Sequence, residues 1–467
     1  MSQFLLVVFD GLRPDMVRPD TTPNLLRFAA LGTRFTRARS VFPSETRVCS
    51  ATVATGCLPR RHGLVANRIP HPRDATRSID TGQMTLLRAL EQETGAPLLD
   101  APTLASILAA AGRDFAVYST GTTGQTYVLN PAADALGQVT LSAHGPEFCS
   151  AAGRALLATL EPPPKAPAER AVWIADMWRT RILPNPPAAS VLWLCEPDTS
   201  GHYDGLGSEA QLIALRAADA AFGRLIDDWQ AGPARETLSI MVASDHGHAA
   251  ISGLTSILPR LTGGPAEGVA VLPGSSCALS WPEATGPRIG ELAAWLTRQD
   301  WVGSVFAADG IDMPEGVLPR SILLADHARA APVLFTLRAS DAATAPGLPG
   351  STLYDGNLPI GGGTHGGLLP SELHTVMMLA GPGVRTAALS DWPAGLTDIA
   401  PTVLTLLGLP GAAAMDGRIL AEATDPNASF AATPASESWE AATHGYTQRL
   451  ARTRFGRHVY IDGGARG

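Results

Sequence analysis

The chain has 467 residues, 45% of them hydrophobic, with Lys+Arg 35 against Asp+Glu 43 and a formal net charge of −8. That length and apolar content allow a large buried core, while the acidic balance excludes a general nucleic-acid binder, whose footprint is basic. The five cysteines (Cys49, Cys57, Cys149, Cys195, Cys277) are odd in number and form no C-x-x-C pair, which argues against a disulfide framework and a thiolate zinc site.

The apolar run Phe4–Phe9 stops at Asp10 and lacks a preceding basic stretch, so it reads as a strand and not as a signal peptide. Thr22-Pro23-Asn24 opens a helix to about Leu31, with Thr22 the expected N-cap. The loop Val41–Thr46 runs into a small-residue helix over 46–55 that Gly56 ends. A helix over 103–111 and a strand over 115–118 continue a βαβ rhythm. Pro162–Pro167 is a surface connection, Ser190–Cys195 a strand, 208–230 a long amphipathic helix and Leu238–Ser244 a further strand. From His248 to Asn357 the strand-to-acid pattern lapses, with β-like segments at Gly268–Val271 and Ser275–Ser280 and a helix near 288–298. Asp398–Gly408 is helical, and His458–Ile461 is a strand.

The expectation is an α/β protein with a central, mostly parallel sheet. The catalytic core occupies 1–248 and 358–467, and an inserted cap domain occupies 249–357. No stretch approaches the roughly 18–20 apolar residues of a membrane span. The expected location is cytoplasmic, or periplasmic if a leader has been removed. Neither a membrane nor a nucleic-acid partner is expected; a homodimer is compatible with the pattern.

The chemistry gathers where apolar runs stop. Asp10, Asp198, His202, Asp245, His246 and the glycine-presented His365 are hard oxygen and nitrogen metal ligands. They converge only if their strands lie side by side, with their carboxyl ends on the edge where open α/β sheets place active sites. Ser44-Glu45-Thr46 leads into a helix N-terminus, which favours anions such as phosphate. A threonine hydroxyl needs a base or a metal to act as nucleophile. No histidine lies close by in sequence, which points to a metal; the other reading of Ser44 or Thr46 is a simple N-cap.

Phe9-Asp10-Gly11, Phe42-Pro43-Ser44-Glu45-Thr46, Thr55-Gly56, Pro59, His62-Gly63, Asn67, Glu196-Pro197-Asp198-Thr199-Ser200-Gly201-His202, Ser244-Asp245-His246-Gly247 and Thr364-His365-Gly366 occur in that order. The set resembles the alkaline phosphatase superfamily, and within it the nucleotide pyrophosphatase/phosphodiesterase branch, with phosphonoacetate hydrolase a close cousin. The resemblance spans residues 4–408. It implies an alkaline phosphatase-like αβα sandwich and a metal-dependent phosphoric ester hydrolase with two Zn²⁺ per chain. One zinc would be held by Asp198, His202 and His365, and the other by Asp10, Asp245, His246 and Thr46. Thr46 would be the nucleophile of a phosphodiesterase working through phosphothreonine, and Asn67 would bind a phosphoryl oxygen, with the Arg47 N–H a second donor. Phosphonate (C–P) hydrolysis and phosphomonoester hydrolysis are the alternatives. Many relatives carry an aromatic residue after the nucleophile, where this chain has Arg47. Arg47 is therefore a candidate to bind a second anionic group on a small-molecule substrate, and His248 is a candidate pocket residue.

Overall fold

In the computed structural model, which describes residues 1–344 and 346–467, an eight-stranded sheet forms the centre. Its strands are β1 (Gln3–Phe9), β2 (Thr33–Phe35), β3 (Phe115–Ser119), β4 (Val139–Ser142), β5 (Ala189–Leu194), β6 (Leu238–Ala243), β7 (Met377–Ala380) and β8 (Ala388–Ser390). They lie in the order β8-β2-β7-β6-β1-β5-β3-β4. Only β7 runs against its neighbours.

The reason β1, β5 and β6 read as unbroken apolar runs is that both faces of the sheet are covered. Side chains alternate between faces along a strand. Phe4, Leu6 and Val8 therefore join Val191, Trp193 and Met241 under the helices Thr46–Thr55, Leu104–Ala110 and Ile399–Leu406. Leu5, Val7 and Phe9 join Leu192, Leu194, Ile240 and Val242 under Pro23–Leu31, Pro167–Met177 and Glu209–Ala231. Phe222 locks the second layer edge-on to Phe9 and Phe28, at 5.8 and 5.3 Å between centroids. This is the expected three-layer αβα sandwich.

Ser208 caps the helix Glu209–Ala231 through the Gln211 N–H. Thr22, however, does not cap Pro23–Leu31. Buried Asp219 does so from the neighbouring helix, accepting the Asn24 and Leu25 N–H groups at 3.0 and 2.9 Å. A carboxylate brought in by tertiary packing has displaced the local hydroxyl, and pattern reading has no access to that partner.

Residues after β6 build a five-stranded sheet, with strands at Ala270–Leu272, Ser276–Ser280, Val302–Ala307, Leu318–Pro319 and Val333–Leu337. The helix Gly286–Thr297 supports it over a separate core that includes Leu292, Trp301 and Phe335. A four-stranded sheet crosses the expected boundary at 357: Ala249–Leu254 pairs both with Pro349–Tyr354 and with Gly363–Thr364. The stretch 358–467, expected to complete the core, does so only in part. Residues 435–466 form a three-stranded antiparallel sheet, of which only the last strand was expected. Gln448 ties it to the five-stranded sheet through Val305 N–H and Val305 O, at 3.0 and 2.8 Å, and Tyr460 ties it to core Asp398 at 2.9 Å.

Candidate active site

Strands β6, β1 and β5 are adjacent, so Asp245, Asp10 and the segment leading to Asp198 emerge side by side at one sheet edge. Backbone bonds knit the loops together, the Asp198 N–H donating to Asp10 O at 3.0 Å. The helix Asp198–Asp204 sets Asp198 and His202 one turn apart on the same face. Glu196 braces that helix by accepting Ser200 N–H and Oγ–H at 3.1 and 2.6 Å. Gly363–Thr364, paired with Ala249–Leu254, delivers His365 to the same place.

Around His246 Nε2 stand Thr46 Oγ1 at 3.1 Å, Asp245 Oδ2 at 3.2 Å and Asp10 Oδ1 at 3.4 Å. Around Asp198 Oδ1 stand the Nε2 atoms of His248, His202 and His365, at 3.0, 3.1 and 3.6 Å. Ligands about 2.0–2.1 Å from a tetrahedral zinc lie about 3.3 Å from one another, so both clusters have the spacing of a ligand shell. Asp10 Oδ1, Asp198 Oδ1 and Asp245 Oδ2 are buried without a hydrogen-bond partner. Three carboxylates this close, without compensation, are costly in a buried setting. Two divalent cations would compensate them.

The histidines are preset for that task. His202 Nδ1 bonds to Gly363 O, His246 Nδ1 to Gly247 O, His248 Nδ1 to Gly11 O and His365 Nδ1 to Ser44 O, at 2.6–3.0 Å. Each imidazole thus donates Nδ1–H to backbone and turns the Nε2 lone pair toward the carboxylates, the tautomer a metal ligand needs. Burial pushes His246 down to about 3 and His365 well below the usual histidine range. Burial also raises Asp245 to about 7, and burial together with the Asp245 and Asp198 charges raises Asp10. Burial drives Asp198 upward too, but His202 and His248 outweigh it and hold the carboxyl well below the usual range. A donor set of carboxylate oxygens and neutral imidazole nitrogens fits divalent metal cations.

The structure brings Asp10, Thr46, Asp198, His202, Asp245, His246 and His365 together. The expected trio of Asp198, His202 and His365 is divided, however: Asp198 groups with His202 and His248, and separately with His246 and His365. The His365 ring stacks on His246 at 3.6 Å between centroids. His248, a candidate pocket residue, is buried with its Nε2 against Asp198. His62 hydrogen-bonds Thr52 at 3.1 Å, away from the site.

Thr46 opens its helix at the first turn, and Glu45 in extended conformation occupies the cap position without a side-chain bond. Neither Ser44 nor Thr46 spends its hydroxyl on capping; Ser44 Oγ instead bonds Gly367 O and Gly366 N. The Arg47 N–H donates to Asn67 Oδ1 at 3.3 Å, so the two expected phosphoryl donors contact each other. Glu45, unforeseen, is buried beside them. It accepts the Asn67 backbone N–H and, at 3.3 Å, Ser276 Oγ–H from the five-stranded sheet. Trp193 was unforeseen as well, and donates Nε1–H to Asp10 Oδ2 at 2.8 Å. The signal for Glu45 was a lone charge in a loop between buried segments; a tryptophan within an apolar strand gives none.

A family model for type I phosphodiesterase / nucleotide pyrophosphatase matches residues 4–260. Venom phosphodiesterase of Macrovipera lebetinus is 24% identical over 255 residues, covering 54% of this chain and 26% of that protein. Ectonucleotide pyrophosphatase/phosphodiesterase family member 3 of Mus musculus is 22% identical over 256 residues, covering 52% of this chain and 24% of that protein. The chain therefore spans about a quarter of the length of these curated relatives. Murine ectonucleotide pyrophosphatase/phosphodiesterase 5, in an inactive form in complex with AMP, matches with a TM-score of 0.61 at 18% identity, over 88% of this chain and 96% of that one. The human counterpart gives 0.61 at 19%, with the same coverage. Among the described residues, no helix is long and apolar enough to cross a membrane.

Proposed function

The chain belongs to the type I phosphodiesterase / nucleotide pyrophosphatase family, a branch of the alkaline phosphatase superfamily, and from that premise we propose that it hydrolyses P–O bonds of a small phosphodiester through Thr46. The observation that carries the reading is Thr46 Oγ1, at a helix N-terminus and 3.1 Å from His246 Nε2, amid three unpartnered carboxylate oxygens. Asp10, Asp245, His246 and Thr46 would hold one cation, and Asp198, His202 and His365 the other, with zinc suited to this donor set. Bound there, the pair supplies Lewis acidity to the phosphoryl oxygens, the nucleophile and a water.

The residues of the chain do the rest. Thr46 Oγ1 loses its proton and forms a bond to phosphorus as the bond to the leaving alkoxide breaks. That alkoxide departs with a proton, leaving Thr46 phosphorylated and the second ester group of the substrate still on phosphorus. A water oxygen then attacks phosphorus, the P–Oγ1 bond breaks and Thr46 regains a proton. The Asn67 amide, whose Oδ1 is engaged by the Arg47 N–H, keeps its NH₂ to donate to a non-bridging oxygen as charge develops. The relatives' phosphodiesterase names support the diester preference.

One observation favours a second reading. Arg47 Nε is buried without a partner, and the guanidinium charge acts on Glu45 and His202 of the site. A guanidinium so placed suits a substrate with a second negative group, as in a monoester or a carboxylate-bearing phosphonate cleaved at C–P.

Thr46→Ala is expected to lower kcat on a bis-aryl phosphodiester by at least about 10⁴-fold. Acid quenching of the wild type should trap an aryl phosphate on Thr46, the second ester group still attached. Undiminished turnover by the variant would overturn the reading. Relative rates on the diester, an aryl monoester and phosphonoacetate separate the two substrate readings.

A further inference from the structure

His248 lies just beyond Asp245-His246 and is fully buried. Its Nδ1 bonds to Gly11 O at 3.0 Å. Its Nε2 stands 3.0 Å from Asp198 Oδ1, yet neither atom has a hydrogen-bond partner. With the Nδ1 proton spent on Gly11, a lone pair on nitrogen faces a lone pair on a carboxylate oxygen at close range. Such a contact is repulsive unless a proton or a metal cation lies between the two.

The ring also sits in a built slot. A Cβ at Gly11 would overlap His248 Cε1, and one at Gly363 would come within 2.8 Å of Cδ2. Arg13, itself buried, fixes the backbone by donating to His248 O at 2.6 Å and to Pro349 O at 2.9 Å. The ring stands edge-on to His202 and to His365, at 5.2 and 5.5 Å between centroids. Three imidazoles thus surround one carboxylate oxygen.

We propose that His248 is itself a metal ligand, in the group of Asp198, His202 and His248 that the structure holds together, with His365, 3.6 Å from Asp198 Oδ1, closing on the ion to complete a one-carboxylate, three-imidazole shell. The proposal rests on the two-cation reading above and extends its ligand set. Four protein ligands fill a tetrahedral zinc site, whereas three leave a position open. This half of the site would then hold its ion tightly and admit water or a phosphoryl oxygen only by expanding to five ligands.

The test is zinc binding to the full chain, measured by chelator competition with no substrate present. Wild type is expected to hold two zinc per chain. His248→Ala is expected to lose affinity at one site by more than the roughly 10–100-fold that removal of a ligand's hydrogen-bond partner costs. Retention of both ions within about tenfold of wild type would overturn the proposal while leaving the two-cation reading intact. A wild-type chain that binds no divalent cation would overturn both. In ¹¹³Cd-loaded wild type with ¹⁵N-labelled histidine, scalar coupling from cadmium to His248 Nε2 is expected. Its absence overturns the proposal even if the alanine variant fails to fold.

Discussion

The carboxyl edge of the core sheet and the face of the five-stranded sheet opposite it contribute in unlike ways. The core edge and the four-stranded sheet beside it, with His248 ahead of Ala249–Leu254 and His365 after Gly363–Thr364, supply every titratable group of the candidate clusters: three carboxylates and the imidazoles of His202, His246, His248 and His365. The inserted sheet offers hydroxyls, with Ser275 Oγ at 2.8 Å from Thr364 Oγ1 and Ser276 Oγ on Glu45. One side carries charge that only cations can compensate; the other adjusts the position of what the first side holds. On the proposed reading the reaction type belongs to the strand ends, and the inserted sheet positions Thr364 and Glu45 beside them.

If the core edge is the strained side, its stability should depend on pH in a defined direction. Glu372 fastens the loop that bears His365. Its Oε1 accepts Gly367 N–H at 2.8 Å, its Oε2 accepts Leu369 N–H at 3.2 Å, and its carbonyl accepts Gly247 N–H at 2.8 Å. Burial pushes the carboxyl from the ordinary 4.5 up to about 7. The folded chain thus keeps a proton that the unfolded chain releases. The associated stability is fully present below about pH 4.5 and is lost as pH rises through about 7. Glu372→Gln should remove this slope, shrinking the difference in urea unfolding free energy between pH 4.5 and 8 by on the order of 3 kcal/mol. An unchanged slope would place the strain elsewhere.

The sequence was most readable where a local pattern carries the chemistry. An apolar run ending in an acid marks both a buried parallel strand and the ligand at its tip, so Asp10, Asp245 and the Asp198–His202 pair were visible together with the sheet. Thr46 was visible because glycine ends its helix and a loop begins it. What stayed hidden depends on approach through space. Asp219 caps a helix 195 residues away in sequence, and Trp193 reaches Asp10 across a strand pair. The strands Ala435–Thr443 and Tyr446–Phe455 carry no apolar run at all. They are held in part by the ion pairs of Arg452 and Arg454 with Glu437, at 2.6 and 2.5 Å. The sequence makes His248 a candidate pocket residue, but spacing does not say which way a ring faces, and its contact with Asp198 is legible only in the fold.

The link between the two regions is Glu45, and breaking it should separate positioning from metal binding. A glutamine there keeps one acceptor but turns an NH₂ either toward the Asn67 N–H or toward Ser276. The loop carrying Asn67 then shifts relative to Thr46. A misplacement of about 1 Å near the reacting centre costs up to about 100-fold. Glu45→Gln is therefore expected to lower kcat on the diester by about 10–100-fold with zinc content unchanged. Loss of zinc together with rate would mean that Glu45 supports the core edge itself, and the division of labour between the two regions would fail.

The smallest effect tests how the site reads its substrate. Arg47 Nε is buried and, among the described residues, has no hydrogen-bond partner. A charge-assisted contact to a second anionic group is worth roughly 1.5–3 kcal/mol when partly buried. Arg47→Ala should raise KM by at least about tenfold, the lower end of that range, for an aryl monoester or a carboxylate-bearing phosphonate, and leave a bis-aryl diester within about twofold. Equal losses on every substrate would assign Arg47 to the phosphoryl group that all of them share. The core edge would then bind the reacting group through a cation of its own, and the selection of the leaving group would fall entirely to the inserted sheet.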